Sequence, residues 1–178
     1  MLRRWATRPA GLGALLFVAV AILVLLHVNA GGSDFKLASP AFRSGGAVPA
    51  RYTCEGEDVS PPLTWTKGPS ATSSYALVVT DPDAPGGTFT HWTIWNISSK
   101  ARSLPVGAKP RWQGENSFGT VGWRGPCPPA GPAHHYVFKL YALDTTLNLA
   151  HGTSPAALEQ KLQAHAFLAA RLVGTFKR

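Results

Sequence analysis

A mostly β domain with one helix near its C-terminal end is the fold class this sequence predicts, and three observations carry it. Short runs of β-branched and aromatic residues recur between clusters of Pro, Gly, Ser and Asp. The clearest of these runs, His135 to Asp144, alternates with a period of two. Beyond the leader, only Pro155 to Ala170 carries apolar residues every four positions, at Leu158, Leu162 and Ala166, behind Ser154 as N-cap and Pro155 as first helical residue.

The chain of 178 residues opens with Arg3, Arg4 and Arg8, an apolar run over 11–28, and the small residues of Val28-Asn29-Ala30. That order is the pattern of a signal peptide cleaved after Ala30. The run also reaches the length at which an uncleaved helix spans a bilayer, so membrane association through residues 11–28 is the alternative. Residues 1–30 are thus a signal peptide or signal anchor, 31–34 a linker and 35–178 an exported domain. The leader's three arginines account for part of the net charge of +8, leaving an excess of five. The remaining basic residues are scattered, which argues against nucleic acid as a partner.

Within the domain, Phe35–Leu37, Val48–Thr53 and Leu63–Trp65 are expected as short strands. Between the last two, Cys54-Glu55-Gly56-Glu57-Asp58 is an acidic turn without the ligand spacing of a calcium loop, expected to be solvated. Cys54 and Cys127 permit a single intramolecular disulfide in an oxidising compartment, and two buried free thiols equally. Their spacing matches no zinc motif, and neither a metal nor a cofactor is expected.

Ser74–Thr80 and Thr90–Ile97 read as strands joined by D-P-D-A-P-G-G, whose prolines and glycines break pairing and set Asp81 and Asp83 at a sheet rim. His91 begins the returning strand, where a neighbouring carboxylate can orient its ring. Turn-forming aspartates and a half-buried strand histidine are the plainer interpretation. From Ser103 to Pro132 the chain is irregular, with Trp112 and Phe118 expected as loop anchors and a Gly/Pro-dense run, Gly122 to Ala133, that brings backbone close to something. In the alternating strand that follows, Tyr136, Phe138 and Leu140 share one face with His134, and His135 points to the other. Leu172–Phe176 closes the chain as a strand.

D-P-D-A-P with H-x-x-x-x-N in one segment, and G-P-C-P-P-A-G followed by H-H-Y-V-F-K-L-Y-A-L-D in the other, together resemble the phosphatidylethanolamine-binding protein (PEBP) family, most closely its bacterial Raf-kinase-inhibitor-like members. The resemblance runs from Phe35 to about Phe176. It implies a β-sandwich of two antiparallel sheets with Greek-key connections and a small pocket for phosphate-bearing or other anionic ligands. Carried over by motif position, Asp81, His91, Pro128, His134 and Tyr136 line that pocket and Asp83 supports it from the turn. Eukaryotic members have an additional helix whose tyrosine borders the pocket. No tyrosine follows Tyr141 here, so gating of that kind is not expected.

Three functions follow as expectations. The leading one is an exported, non-enzymatic binding protein for a small anion or phospholipid head group. A hydrolase using the Asp/His pocket is the second, weakened by the lack of a G-x-S-x-G elbow or an H-E-x-x-H pair and by the unconvincing context of Ser117. The third is an inhibitor of a protease or other enzyme acting through loops around the pocket. A protein partner and a homodimer stay open.

Overall fold

A computed structural model describes residues 34–178, so the leader and most of the linker lie outside the described residues. Seven strands and one helix occur in the order β1 (Leu37–Ala38), β2 (Leu63–Trp65), β3 (Ser74–Asp81), β4 (Phe89–Ser98), β5 (Ser103–Leu104), β6 (His134–Leu143), α1 (Pro155–His165) and β7 (Ala166–Phe176). They form two antiparallel sheets, one ordered β1-β2-β5 and the other β4-β3-β6-β7. The chain leaves the larger sheet after the β3–β4 hairpin, visits the smaller sheet as β5, and returns as β6 to the other side of β3. That return is the Greek-key connection.

Alternation explains how the sheets pack. Leu37, Leu63 and Trp65 of the small sheet meet Tyr75, Leu77, Val79, Trp92, Ile94, Phe138, Leu140 and Leu172 of the large one in a common core. The opposite face of the large sheet presents Ala76, Trp95 and Leu143, and Leu158 and Leu162 of α1 cover it. Burying Leu158 and Leu162 is worth about 1.5–3 kcal/mol each, which holds an eleven-residue helix too short to persist alone.

The structure corrects several boundaries. The helix ends at His165 rather than Ala170, because Ala166 to Ala170 pair with Leu143 to Leu140 of β6 and extend the last strand back from Leu172. Ala, Phe and Leu tolerate a helix, but a vacant ladder on β6 decides the outcome. Val48–Thr53 is not a strand. Val48 donates its N–H to the Thr175 carbonyl at 2.8 Å, then Pro49 turns the chain into a short 3-10 helix over Ala50–Tyr52. The first strand begins at Leu37 rather than Phe35, and Ser103–Leu104, expected to be irregular, pairs with β2.

The long segment after β5 finds its place along the free edge of β4. Trp95 N–H donates to Trp112, Gly114 N–H to Thr93, Ser117 N–H to Thr90 and Arg124 N–H to His91, so the edge is covered by irregular chain.

Candidate functional site

Three strand ends and two loops converge at one end of the sandwich around a cavity of about 230 Å³. β3 brings Asp81, β4 brings Phe89 and His91, and β6 brings His134 and Tyr136. The β3–β4 turn adds Ala84 and Pro85, and the edge-covering segment adds Phe118 and Cys127 to Pro129. Asp81, His91, Pro128, His134 and Tyr136, the five residues expected from motif position, all line this cavity.

A β-bulge makes the grouping geometrically feasible. Val79 pairs with Trp92 and Thr80 with Thr90, which leaves His91 as the extra residue of β4. Strict alternation from Trp92, a core residue, would send His91 to the opposite face. The bulge re-aims it to the face shared by Asp81 and Tyr136.

Asp81 is 3 % exposed and its carboxylate is held at both oxygens. Oδ1 accepts the Asp83 N–H at 2.9 Å, and Oδ2 accepts from His134 Nδ1 at 2.7 Å. That bond fixes the His134 tautomer and leaves Nε2 for a ligand. His91 is oriented differently: its Nδ1–H donates to the Arg124 carbonyl at 2.7 Å. Burial holds His91 below the usual histidine range, against the smaller upward pull of the Arg124 carbonyl and the Asp81 charge. A neutral His91 therefore presents Nε2 as an acceptor, and only on protonation does it become a donor to an anion.

Tyr136 is 1 % exposed, and its hydroxyl, beside the Asp81 carboxylate, makes no hydrogen bond of good geometry within the protein. Burial first, and then the nearby Asp81 charge, push the phenol well above its ordinary value, so it stays an O–H donor. The wall around these groups is aromatic. Phe89 and Phe118 meet edge to face at 4.7 Å, Phe118 meets His91 at 5.6 Å, and His91 meets Tyr136 at 5.2 Å.

Asp83 supports the site through its backbone, while its side chain turns away. Asp83 Oδ2 accepts from the N–H of His135 at 2.8 Å and from its Nδ1 at 2.7 Å, and these bonds lower the Asp83 pKa. His135 is exposed on the other strand face, as the alternation of β6 requires.

Some contributors were missed from sequence. Phe118, expected as a loop anchor, forms part of the cavity wall, and Phe89 and Pro129 line it without having been singled out. The acidic turn is not simply solvated: Asp58 Oδ1 accepts the Gly125 N–H at 2.6 Å and Oδ2 lies 3.2 Å from Arg124 Nε. Asp58 thereby braces the two residues beside the carbonyl that holds His91. Gly125 is needed there, since a Cβ would sit 2.4 Å from the Tyr52 carbonyl oxygen. Next to it Cys54 and Cys127 form a disulfide with Cα atoms 5.4 Å apart, and Cys54 N–H donates to Pro126 at 3.1 Å.

The model of the phosphatidylethanolamine-binding protein family matches residues 38–177. The chain belongs to that family. It is 41% identical over 184 residues to a UPF0098 protein of Pyrococcus horikoshii, covering 96% of this chain and 92% of that one. It is 42% identical over 144 residues to LppC of Mycobacterium tuberculosis, whose name places it among lipoproteins, covering 79% of this chain and 71% of that one. Among solved structures, Escherichia coli YbcL, described as a member of the mammalian PEBP family, superposes with a TM-score of 0.78 at 34% identity over 82% of this chain and 99% of its own. A PEBP homologue from Chlamydia trachomatis gives 0.77 at 35% identity, covering 81% and 97%. None of these names assigns an enzymatic activity.

Proposed function

We propose that the domain is a non-enzymatic binding protein whose Asp81/His91 cavity takes a small phosphate-bearing anion or phospholipid head group. The observation that carries this reading is the Tyr136 hydroxyl: a buried donor that stays protonated, with no well-formed protein hydrogen bond and beside an Asp81 carboxylate already engaged by Asp83 and His134, calls for an acceptor oxygen from a ligand or water. The cavity is smaller than the roughly 300–1,000 Å³ of sites for drug-sized molecules, which suits a head group rather than an acyl chain. A phosphate oxygen would accept hydrogen bonds from the Tyr136 O–H and from the Nε2–H of whichever histidines are protonated. Asp81 keeps lone pairs for a ligand amine or hydroxyl, which favours a ligand with both ends over a bare anion.

A hydrolase would use the Asp81–His134 pair as an oriented base. Against it, no serine or threonine hydroxyl lines the cavity and Cys127 is bonded to Cys54. The Ser117 hydroxyl instead accepts the Thr90 N–H at 2.9 Å. An envelope location fits both the basic, apolar leader and the lipoprotein name of LppC.

Calorimetry on the full chain with phosphoethanolamine and with sulfate tests the reading. Sulfate keeps its charge across the histidine range, so its affinity should rise as the pH is lowered and His91 takes up a proton. His91→Ala should weaken binding and His135→Ala should not. Equal affinity of the wild type and His91→Ala, both folded by circular dichroism, would sink the proposal, and turnover of phosphoesters lost in His91→Ala would replace it with the hydrolase.

A further inference from the structure

The two cavity histidines are backed by acid in different ways. His134 Nδ1 meets the Asp81 carboxylate directly at 2.7 Å. His91 Nδ1–H donates instead to the Arg124 carbonyl at 2.7 Å, and that carbonyl belongs to the same peptide group as the Gly125 N–H. The Gly125 N–H in turn donates to Asp58 Oδ1 at 2.6 Å. Asp58, one planar peptide and the His91 ring therefore form an unbroken line of hydrogen bonds.

Asp58 does not line the cavity; it stands in the turn between the 3-10 helix and β2. Both of its carboxylate oxygens are given to the edge-covering segment, since Oδ2 lies 3.2 Å from Arg124 Nε. Its backbone is left-handed, with a φ of 51°, a conformation that aspartate and asparagine adopt more readily than most residues. Gly125 is buried, and a Cβ there would sit 2.7 Å from Asp58 Oδ1, so the contact needs glycine. A peptide group is rigid, and whatever holds one end orients the other. Bonding its N–H to a carboxylate also polarises it, which makes the carbonyl a stronger acceptor for the imidazole. Both effects favour the Nδ1–H tautomer and leave Nε2 for the cavity.

We infer that Asp58 is a positioning residue for His91, acting through the Arg124–Gly125 peptide to fix the ring's tautomer and its readiness to receive an anion. The consequence for binding rests on the anion-cavity reading above, whereas the effect on the ring does not. Burial lowers the proton affinity of His91, while the backbone of Arg124 and Gly125 and the charges of Asp81 on β3 and of Asp58 raise it. On the cationic side stand His134 of β6, when protonated, and the Arg124 guanidinium beyond the Phe118 ring; Tyr136 of β6 stays neutral. Removing Asp58 takes away its own charge and the polarised peptide together, so His91 should then titrate at lower pH.

Imidazole nitrogen NMR on the full 178-residue chain tests this, with the His91 signals assigned by their loss in His91→Gln. Wild type should show the Nδ1–H tautomer at His91. Asp58→Ala should mix the tautomers, lower the His91 titration midpoint and weaken sulfate binding about tenfold at about pH 6. Asp58→Asn keeps an acceptor oxygen for Gly125 and suits the left-handed backbone. It should restore the tautomer but not the midpoint, with sulfate binding about threefold weaker than wild type. Arg124→Ala removes the ion pair and spares the peptide, so the tautomer should persist and the midpoint should not fall. A wild-type tautomer and midpoint in both Asp58 variants overturns the inference, and if Asp58→Ala does not fold, a wild-type midpoint in Asp58→Asn does so alone. An Arg124→Ala ring that behaves like that of Asp58→Ala also overturns it, because the effect would then run through bracing of the loop. Altered rings with sulfate affinity unchanged, in the Asp58 variants and in His91→Ala alike, would uphold the positioning role and remove the anion reading instead.

Discussion

The two ends of the sandwich use opposite means to present polar groups. At the Asp81 end, the acid, two histidines and a tyrosine are nearly buried: Asp81 and His91 are each bonded to loop backbone, and His134 to the Asp81 carboxylate. At the Lys67 end, Lys67 and Lys100 stand in solvent on connecting loops. The difference teaches that the first end has a defined geometry paid for in folding stability, whereas the second offers charge with little structural commitment. Substitutions should separate the two ends cleanly.

The largest effect is expected from the crosslink that pins the cavity loop. The Cys54–Cys127 bond closes 73 residues, and its loss in Cys54→Ala/Cys127→Ala should lower stability by up to about 4 kcal/mol in denaturant unfolding. Next is Asp81→Ala, which strands the His134 Nδ1–H and the Asp83 N–H and should cost about 2–3 kcal/mol while abolishing head-group binding in calorimetry. An Asp81→Ala variant as stable as wild type would show that the buried end is not under the polar constraint described.

Tyr136→Phe sharpens the comparison, because it removes a hydroxyl that the fold does not use. Stability should stay within about 0.5 kcal/mol, whereas phosphoethanolamine affinity should fall about five- to tenfold. A stability loss without an affinity loss would place the hydroxyl in a structural role. The pH dependence has a definite sign. His91 has a folded pKa below its unfolded value near 6.5, so the unfolded chain binds the proton more readily. Its contribution is intact above that value and is lost as the pH falls towards the folded pKa. Unfolding midpoints measured from pH 8 to 5 should decline more steeply for wild type than for His91→Gln. The smallest effect belongs to the other end: Lys67→Glu/Lys100→Glu should change stability by no more than about 0.5 kcal/mol.

How much of this was legible depended on which interaction fixes each residue. β6 declared itself, since apolar and polar residues alternate along it and the face of His134 and Tyr136 follows from the period of two. The five cavity residues came from two motifs rather than from periodicity, and for His91 periodicity alone would have misled. Its place depends on a bulge at His91 in β4, opposite Val79 and Thr80 of β3, a register event that no local run of residues announces. The last strand was read six residues short, and the helix more than one turn long, because Ala166 to Ala170 have no strong preference and the partner strand decides. Phe118 and Asp58 were given plain roles because their partners, His91 and Gly125, lie far along the chain.

Arg124 shows where such reading meets a limit. Its amide donates to the His91 carbonyl at 3.2 Å and its carbonyl accepts from the His91 ring at 2.7 Å, so one residue anchors both the main chain and the side chain of the cavity histidine. Both contacts are made by main-chain atoms. Most side chains at position 124 would supply the same carbonyl, and proline, which lacks the N–H, would break the pairing. A substitution other than proline at this position would keep both main-chain bonds and lose the Asp58 ion pair that braces them, so a search for cavity residues by amino-acid identity would pass over the one that sets the histidine's tautomer.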